Sequence, residues 1–152
     1  MLGDDETYMA AMHKVLKRGD VLRIKGNLPF ESDSYHYFVV LNLNPATEEV
    51  LILVAGTSQV QKRLEARLRV SSDDGKYVDD TTKVFPKNAY VFLPKQTLFD
   101  CNDVYRVRLE VITRKNLLVN NFSLSQDDVQ QLIQKVGNSK MVAPYIKHQL
   151  GV

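Results

Sequence analysis

Apolar positions follow two different periods along this chain. Near both ends they recur every three or four residues, as on one face of an amphipathic helix. The pattern predicts a first helix over residues 5–17 and a second over residues 125–136, which Ser125 opens and Gly137 ends. The apolar positions of these two helices are Tyr8, Met9, Met12, Val15 and Leu16, and Val129, Leu132, Ile133 and Val136.

Between these helices lie short runs rich in β-branched and aromatic residues, separated by turn-forming residues such as those of the loop 26–35. They predict strands near residues 20–24, 36–43, 49–55, 89–93 and 96–105. Residues 50–54 are continuously apolar, which is typical of a central strand buried on both faces. The expected fold class is α+β, with a small, strongly bent antiparallel sheet flanked by the two helices.

The remaining segments are less regular. Residues 58–69 are basic and predict a short helix or a turn, and residues 71–80 predict an exposed acidic loop around Asp73-Asp74-Gly75. A last short helix is expected where Pro144 interrupts or restarts the chain.

Composition limits the class of protein. A chain of 152 residues with 44% hydrophobic residues fits a single domain, 1–152, with a real core. The balance of 20 basic and 18 acidic residues indicates no general nucleic-acid binder, although local basic patches remain open. No apolar run is long enough to span a bilayer and the N-terminus is acidic, so we expect a cytoplasmic protein without membrane contact.

Five short motifs occur in a definite order. They are Gly19-Asp20-Val21-Leu22, His36 at the head of apolar residues 37–42, Thr57-Ser58 after a third apolar strand, Cys101-Asn102-Asp103-Val104, and Leu124-Ser125 before a helix. In this order, over roughly residues 19–136, the chain resembles the MazF/PemK-like toxin endoribonucleases of bacterial toxin–antitoxin systems. The resemblance implies an SH3-like barrel, a symmetric homodimer, and a groove that receives single-stranded RNA or an antitoxin protein.

The resemblance also implies where the site lies. It places His36 and Thr57 where the family has its catalytic arginine and threonine. Typical members have Arg-Pro where this chain has His36-Tyr37, and glycines in the preceding loop where it has Pro29, Glu31 and Asp33. These departures fall on the segment that carries the family's catalysis.

The residues themselves offer chemistry at this place. Metal-free RNA cleavage needs a base for the 2′-hydroxyl, donors for the charged phosphorane and an acid for the leaving oxygen. Histidine exchanges a proton near neutral pH, so His36 can serve as base or acid, and the hydroxyls of Thr57 and Ser58 can donate to phosphate. A surface histidine that begins a strand, and a Thr57-Ser58 pair that caps a turn, are equally open interpretations.

RNA-binding candidates surround these residues. They are Lys25, Tyr35, Gln59, Lys62 and Arg63. Residues 62–69 carry four basic side chains and one acidic, which is either a stripe for a phosphate backbone or a solvated helical face. Tyr35 and Tyr37 can stack on bases, and we expect one of them to pack in the core.

The remaining cysteine and histidine residues predict no catalytic or metal-binding site. Cys101 has Phe99 and Val104 as apolar neighbours and is expected to be a small buried hydrophobe. His13 and His148 lack metal-ligand spacing, so no metal and no cofactor is expected. Beside the endoribonuclease, two alternatives stay open: a non-catalytic SH3-like module that binds RNA or protein, and a structural or regulatory protein of a mobile element.

Overall fold

A computed structural model describes the chain at residues 2–25, 35–71 and 75–152, with side chains throughout these ranges except at residues 2–4 and 118–121. The loop predicted before Tyr35, with Pro29, Glu31 and Asp33, and the acidic pair Asp73-Asp74 lie outside the described residues. The elements of the described ranges are α1 (Leu2–Val15), β1 (Asp20–Ile24), β2 (His36–Val40), β3 (Val50–Thr57), α2 (Val60–Val70), α3 (Lys76–Thr81), β4 (Thr82–Phe85), β5 (Thr97–Arg108), β6 (Leu117–Ser123), α4 (Gln126–Asn138) and α5 (Pro144–Leu150). Short 3₁₀ turns lie at Pro45–Thr47 and Leu109–Val111.

The six strands form one curled antiparallel sheet in the order β4-β5-β3-β2-β1-β6. Every pairing between neighbours is antiparallel, and the register matches Val21 with Val39, Phe38 with Ala55, and Val50 with Arg108. In the described part of the chain β4 and β6 do not pair with each other, so the sheet is a half-barrel. The α+β class and the antiparallel sheet expected from the sequence are thereby confirmed.

Alternation along the strands gives the sheet two apolar faces. Ile24, Phe38 and Leu53 belong to the face on which Met12 and Leu16 of the α1 region pack, and we call this the α1 face. Val21, Val39 and Val54 belong to the opposite face, which packs against α4 and α5 through residues such as Leu132 and Ile146, and we call this the α4 face. Residues 51–54 of β3 are all buried, as the continuous apolar run predicts for a central strand.

The strand predicted at residues 89–93 was wrong. This segment is a series of turns, in which Leu93 N–H donates to the carbonyl of Tyr90 and Asn88 N–H donates to that of Leu93. Tyr90 and Phe92 nevertheless point inward and Val91 is 89% exposed, so the segment imitates the alternation of a strand. Phe92 stacks on Phe122 at 4.6 Å between ring centroids, and this aromatic packing explains the apolar pattern without any strand pairing.

Three elements went unpredicted. Strands β4 and β6 form the two edges of the sheet, and helix α3 (Lys76–Thr81) begins within the segment 71–80 that was expected to be an exposed acidic loop. Helix α3 is acidic on its solvent side, but Val78 and Thr81 are buried. A single turn of helix with two inward residues is too short for periodicity to reveal.

None of the described helices is long and apolar enough to cross a membrane.

Gly19 joins three elements at the start of β1. Its N–H donates to the carbonyl of Val40 at 2.7 Å, and its own carbonyl accepts from Leu124 N–H at 2.9 Å. Its φ of +94° lies in the left-handed region, and an added Cβ would stand 2.6 Å from Cγ2 of Val129. Glycine is therefore required here both by backbone conformation and by the close approach of α4.

Replacing Gly19 with alanine should lower the free energy of unfolding by about 2 to 4 kcal/mol, since left-handed strain and overpacking against Val129 add. Urea denaturation followed by circular dichroism measures this. The matched control is Gly137→Ala in α4, where an added Cβ makes an ordinary 3.4 Å contact with Val152. That variant should be unchanged or up to about 1 kcal/mol more stable, because alanine favours a helix over glycine. Equal effects of the two substitutions would contradict this account of Gly19.

Candidate functional site

Three strands present their ends at one end of the sheet. Strand β1 finishes at Ile24, β2 starts at His36, and β3 finishes at Thr57. Ile24 pairs with His36, and the β2–β3 register continued from Phe38–Ala55 places His36 opposite Thr57. Directly opposed residues of an antiparallel pair share a face, so His36 and Thr57 both belong to the α1 face. This extended register is the basis for expecting their side chains on one surface; the cleft at this sheet end is lined by His36 and Ser58, and Thr57 is not among its lining residues.

The chain turns away from the sheet directly after Thr57. The Thr57 hydroxyl oxygen accepts a hydrogen bond from Gln59 N–H at 3.1 Å, which makes a short side-chain turn before α2. Gln59 itself occupies the N-cap position of α2 without a side-chain capping bond. The Thr57 oxygen therefore caps a turn, which is one of the two roles left open by the sequence. Its hydroxyl group can in addition donate its proton to another acceptor. Ser58 and Gln59 are exposed beside it.

The other face of the same sheet end carries cations over aromatic rings. Arg23 pairs with Tyr37 across β1 and β2, and its guanidinium lies 5.4 Å from the Tyr37 ring centroid and 5.7 Å from that of Tyr35. The Lys25 ammonium lies 4.8 Å from the Tyr35 ring centroid. Tyr37 is the tyrosine that packs against the core, where its ring meets Phe92 at 6.1 Å. Lys25 and Tyr35 are thus on the α4 side, across the sheet from His36 and Thr57.

A cleft of about 330 Å³ opens at this sheet end. The residues around it are Tyr35, His36, Tyr37, Gly56, Ser58, Leu93, Pro94, Lys95 and Thr97. Three predicted site residues, His36, Ser58 and Tyr35, lie around this cleft. Lys95 and Thr97 also lie around it, and the sequence did not predict them as site residues. No motif marks these two residues, because they reach the cleft only through the turns that replace the expected strand at 89–93.

The basic run of α2 is divided into two groups. Arg63 and Arg67 point toward the sheet, where Arg67 Nε donates to Asp100 at 2.6 Å and Arg63 Nη1 to Asp103 at 3.1 Å. Lys62 and Arg69 are exposed on the outer side of the helix. Arg63 and Arg67 are consequently neutralised by carboxylates, and the continuous positive stripe suggested by the sequence is reduced to its outer residues.

The carboxylates come from an irregularity in β5. Val54 pairs with Val104 and Gly56 with Phe99, so one residue of β3 faces four residues of β5, from Asp100 to Asp103. This bulge turns polar side chains inward, and residues 97–102 are buried without alternation. The Asp100 side chain is only 5% exposed and the Arg67 side chain 12%. Asp100 is therefore a buried carboxylate with a close cationic partner.

Asn102 extends this buried cluster to α3 and the end of α4. Its amide donates to Thr81 and to Asp100, each at 2.9 Å, and its carbonyl oxygen accepts from Tyr77 at 2.7 Å and from Ser139 at 2.6 Å. Every polar atom of the Asn102 side chain is thus bonded. Since each partner is held by another protein group, we assign this cluster to structure and not to ligand binding.

Two pKa shifts belong to the same region. Burial alone would lower the pKa of Arg67, but its hydrogen bonds and charge interactions with Asp100 and Asp103 outweigh burial and raise it. Burial, with a smaller contribution from the Asp100 charge, raises the pKa of the Cys101 thiol to about 12. Cys101 is fully buried, as expected, and a thiol in this state is a poor nucleophile. Among the described residues no three side chains of metal-ligating type lie together.

In comparisons with known proteins, no family model matches the chain, and no match is found among curated proteins.

Substituting Arg67 by leucine should lower the free energy of unfolding by about 3 to 5 kcal/mol, because the buried carboxylate of Asp100 loses its close partner. Arg69→Leu removes the same charge from the exposed side of α2 and should change it by less than about 0.5 kcal/mol. Chemical denaturation of both variants measures the difference. The double substitution Arg67→Leu with Asp100→Asn should recover part of the loss, since no buried charge is then left alone. Equal stability of the Arg67→Leu and Arg69→Leu proteins would refute the assignment of this pair.

Proposed function

We propose that the chain is a toxin-like endoribonuclease, a divergent relative of the MazF/PemK-like proteins, and that its half-barrel is a form of their SH3-like barrel. The proposal is supported by the register of β1, β2 and β3 at a sheet end where three strands meet. Continued by two residues beyond the Phe38–Ala55 pair, that register sets His36 opposite Thr57. The order of the motifs supports it. Gly19-Asp20 opens β1, His36 heads β2, Thr57 ends β3, Cys101-Asn102 lies in β5, and Ser125 caps α4.

The proposed chemistry is transfer of the phosphodiester within the RNA. His36 takes the proton of the 2′-hydroxyl, the 2′ oxygen bonds to phosphorus, and the bond from phosphorus to the 5′ oxygen breaks. The leaving 5′ oxygen takes a proton from solvent, so the products are a 2′,3′-cyclic phosphate and a 5′-hydroxyl. Thr57 and Ser58 donate hydrogen bonds to the phosphorane oxygens while negative charge accumulates there. No step uses a metal ion.

A specific observation favours a second candidate, the non-catalytic RNA-binding module. The two arginines of α2 that point toward the sheet are paired with carboxylates, and Arg23 belongs to the α4 face, across the sheet from His36. None of these three guanidiniums therefore offers an unpaired charge on the α1 face, where it would stabilise a phosphorane. Binding without cleavage is the expected behaviour if Thr57 and Ser58 cannot take over that role.

His36→Ala should abolish cleavage of single-stranded RNA and leave the melting temperature nearly unchanged, because His36 is exposed at the start of β2. The assay incubates the purified protein with labelled RNA, with and without a chelator, and analyses the 3′ ends of the fragments. Cleavage should persist in the chelator and leave cyclic phosphate ends.

The matched control is His148→Ala, which removes an exposed histidine from α5 and should cleave at the rate of the unsubstituted protein. RNA that is bound but never cut would establish the binding module. Cleavage that stops in the chelator would contradict the metal-free mechanism. Growth arrest on induced expression, lost with His36→Ala, is the corresponding observation in cells.

We also propose that the protein acts as a symmetric homodimer whose activity an antitoxin protein blocks. Support comes from the sheet edges, since β4 and β6 end the sheet without a further strand in the described chain, and isologous dimers are the commonest assembly. Light scattering should give a mass of about 35 kDa, twice the 17.4 kDa of one chain. A mass of one chain across a wide concentration range would exclude the dimer.

A further inference from the structure

Arg23 is held in an unusual environment for an arginine near a strand end. Its guanidinium lies within 6 Å of two tyrosine rings, at 5.7 Å from Tyr35 and 5.4 Å from Tyr37. Such contacts hold a cation over the negative faces of the rings without neutralising its charge. Arg23 as a whole residue is half-buried and so is not fully removed from solvent.

The hydrogen bonding of Arg23 is incomplete. Its Nε is buried and has no acceptor within hydrogen-bonding distance among the described residues. Within the same residues no carboxylate forms an ion pair with Arg23 or with Lys25. A buried donor without an acceptor costs free energy, and an anionic ligand would recover that cost with a charge-assisted bond. This state contrasts with Arg63 and Arg67, whose guanidiniums are both paired with carboxylates.

The two cations lie over tyrosine rings that line an opening in the protein. Tyr35 and Tyr37, over which Arg23 and Lys25 lie, form one side of the 330 Å³ cleft, and Lys95 lies on its border. Cations interleaved with aromatic rings along a groove are the arrangement by which proteins bind single-stranded nucleic acid without reading its sequence. His36, on the adjacent position of β2, reaches the same cleft from the other face of the sheet.

We propose that Arg23 and Lys25 bind the phosphodiester backbone of single-stranded RNA, and that Tyr35 and Tyr37 are positioning residues that hold the two cations. The inference rests on the proposed function and extends it. It identifies the residues that bind the RNA where the nucleic acid passes over the end of the sheet and reaches His36. Arg23 did not belong to the site that the sequence predicted.

The test measures binding apart from cleavage. A fluorescent RNA twelve nucleotides long and 2′-O-methylated throughout lacks the attacking hydroxyl, so it can be bound but not cut. Its affinity is measured by anisotropy over a series of salt concentrations for the unsubstituted protein, Arg23→Gln and Lys25→Gln. The control is Lys14→Gln, which removes an exposed cation from α1, on the opposite side of the sheet.

Arg23→Gln and Lys25→Gln should each weaken binding about tenfold, as expected for loss of one hydrogen bond to a charged group. Each should also make the slope of log affinity against log salt less negative by about 0.7, because one phosphate contact of a single strand is lost. Lys14→Gln should change neither quantity. Melting temperatures identify any variant that fails to fold. If Arg23→Gln fails to fold, the RNA affinity of Lys25→Gln, at the strand end, tests the inference.

Each outcome separates this inference from the proposed activity. If the methylated RNA binds as expected but unmodified RNA is not cut, the inference stands and the endoribonuclease proposal fails. If unmodified RNA is cut and folded Arg23→Gln and Lys25→Gln proteins bind and cut like the unsubstituted protein, the inference fails alone. Both are overturned if the unsubstituted protein neither binds nor cuts RNA. The inference alone fails if polyglutamate of similar length binds at Arg23 and Lys25 more tightly than RNA.

Discussion

The buried carboxylate of Asp100 constrains the whole β5 side of the sheet. A charge that is almost fully removed from water is tolerated only with a close partner of opposite sign and with its remaining lone pairs bonded. Arg67 supplies the partner from α2, and Asn102 supplies further hydrogen bonds from within the same bulge. The position of α2 relative to the sheet therefore follows from where the bulge places Asp100.

The same bulge determines which end of the sheet is available for chemistry. Beyond it, β3 and β5 continue in a shifted register, so that Thr57 pairs with Leu98 at the end of the ladder. The turns at residues 86–96 then bring Lys95 to the cleft, and their aromatic side chains fill the α4 face against Phe122. A structural ion pair on one side of β5 thus shapes the border of the opening in which His36 and Ser58 lie.

The sheet end is two-sided, and its two sides offer different chemistry. The α1 face presents an imidazole opposite a hydroxyl, which suits proton transfer and hydrogen bonding to a phosphate. The α4 face presents two cations over tyrosine rings, which suits binding of an anionic chain. A flexible single strand can pass over such an end and meet both surfaces, whereas a rigid duplex cannot bend so sharply. The proposal of single-stranded RNA as the substrate rests on this difference.

The amino-acid sequence by itself determined the elements whose pattern is long or strong. Helices α1 and α4 and strands β1, β2, β3 and β5 follow from periodicity and apolar runs, and the Ser125 cap follows from its hydroxyl, which accepts from Asp128 N–H. It also predicts His36 opposite Thr57, because antiparallel register between neighbouring strands is a local property. Edge strands β4 and β6 and the single turn of α3 are short, so their weak signals did not distinguish them from loops.

Only the tertiary structure decided the rest. The alternation of Tyr90, Val91 and Phe92 is the same in a strand and in an aromatic-lined turn, and packing against Phe122 selects the turn. The charges of Arg63 and Arg67 look available for RNA until the β5 bulge, 33 to 40 residues later, places Asp100 and Asp103 against them. In the sequence Arg23 is an ordinary strand residue, and only the fold sets its guanidinium over the ring of its cross-strand partner Tyr37, which lines the cleft. Whether a charge is neutralised or exposed depends on which distant groups surround it, and that is a property of the folded chain.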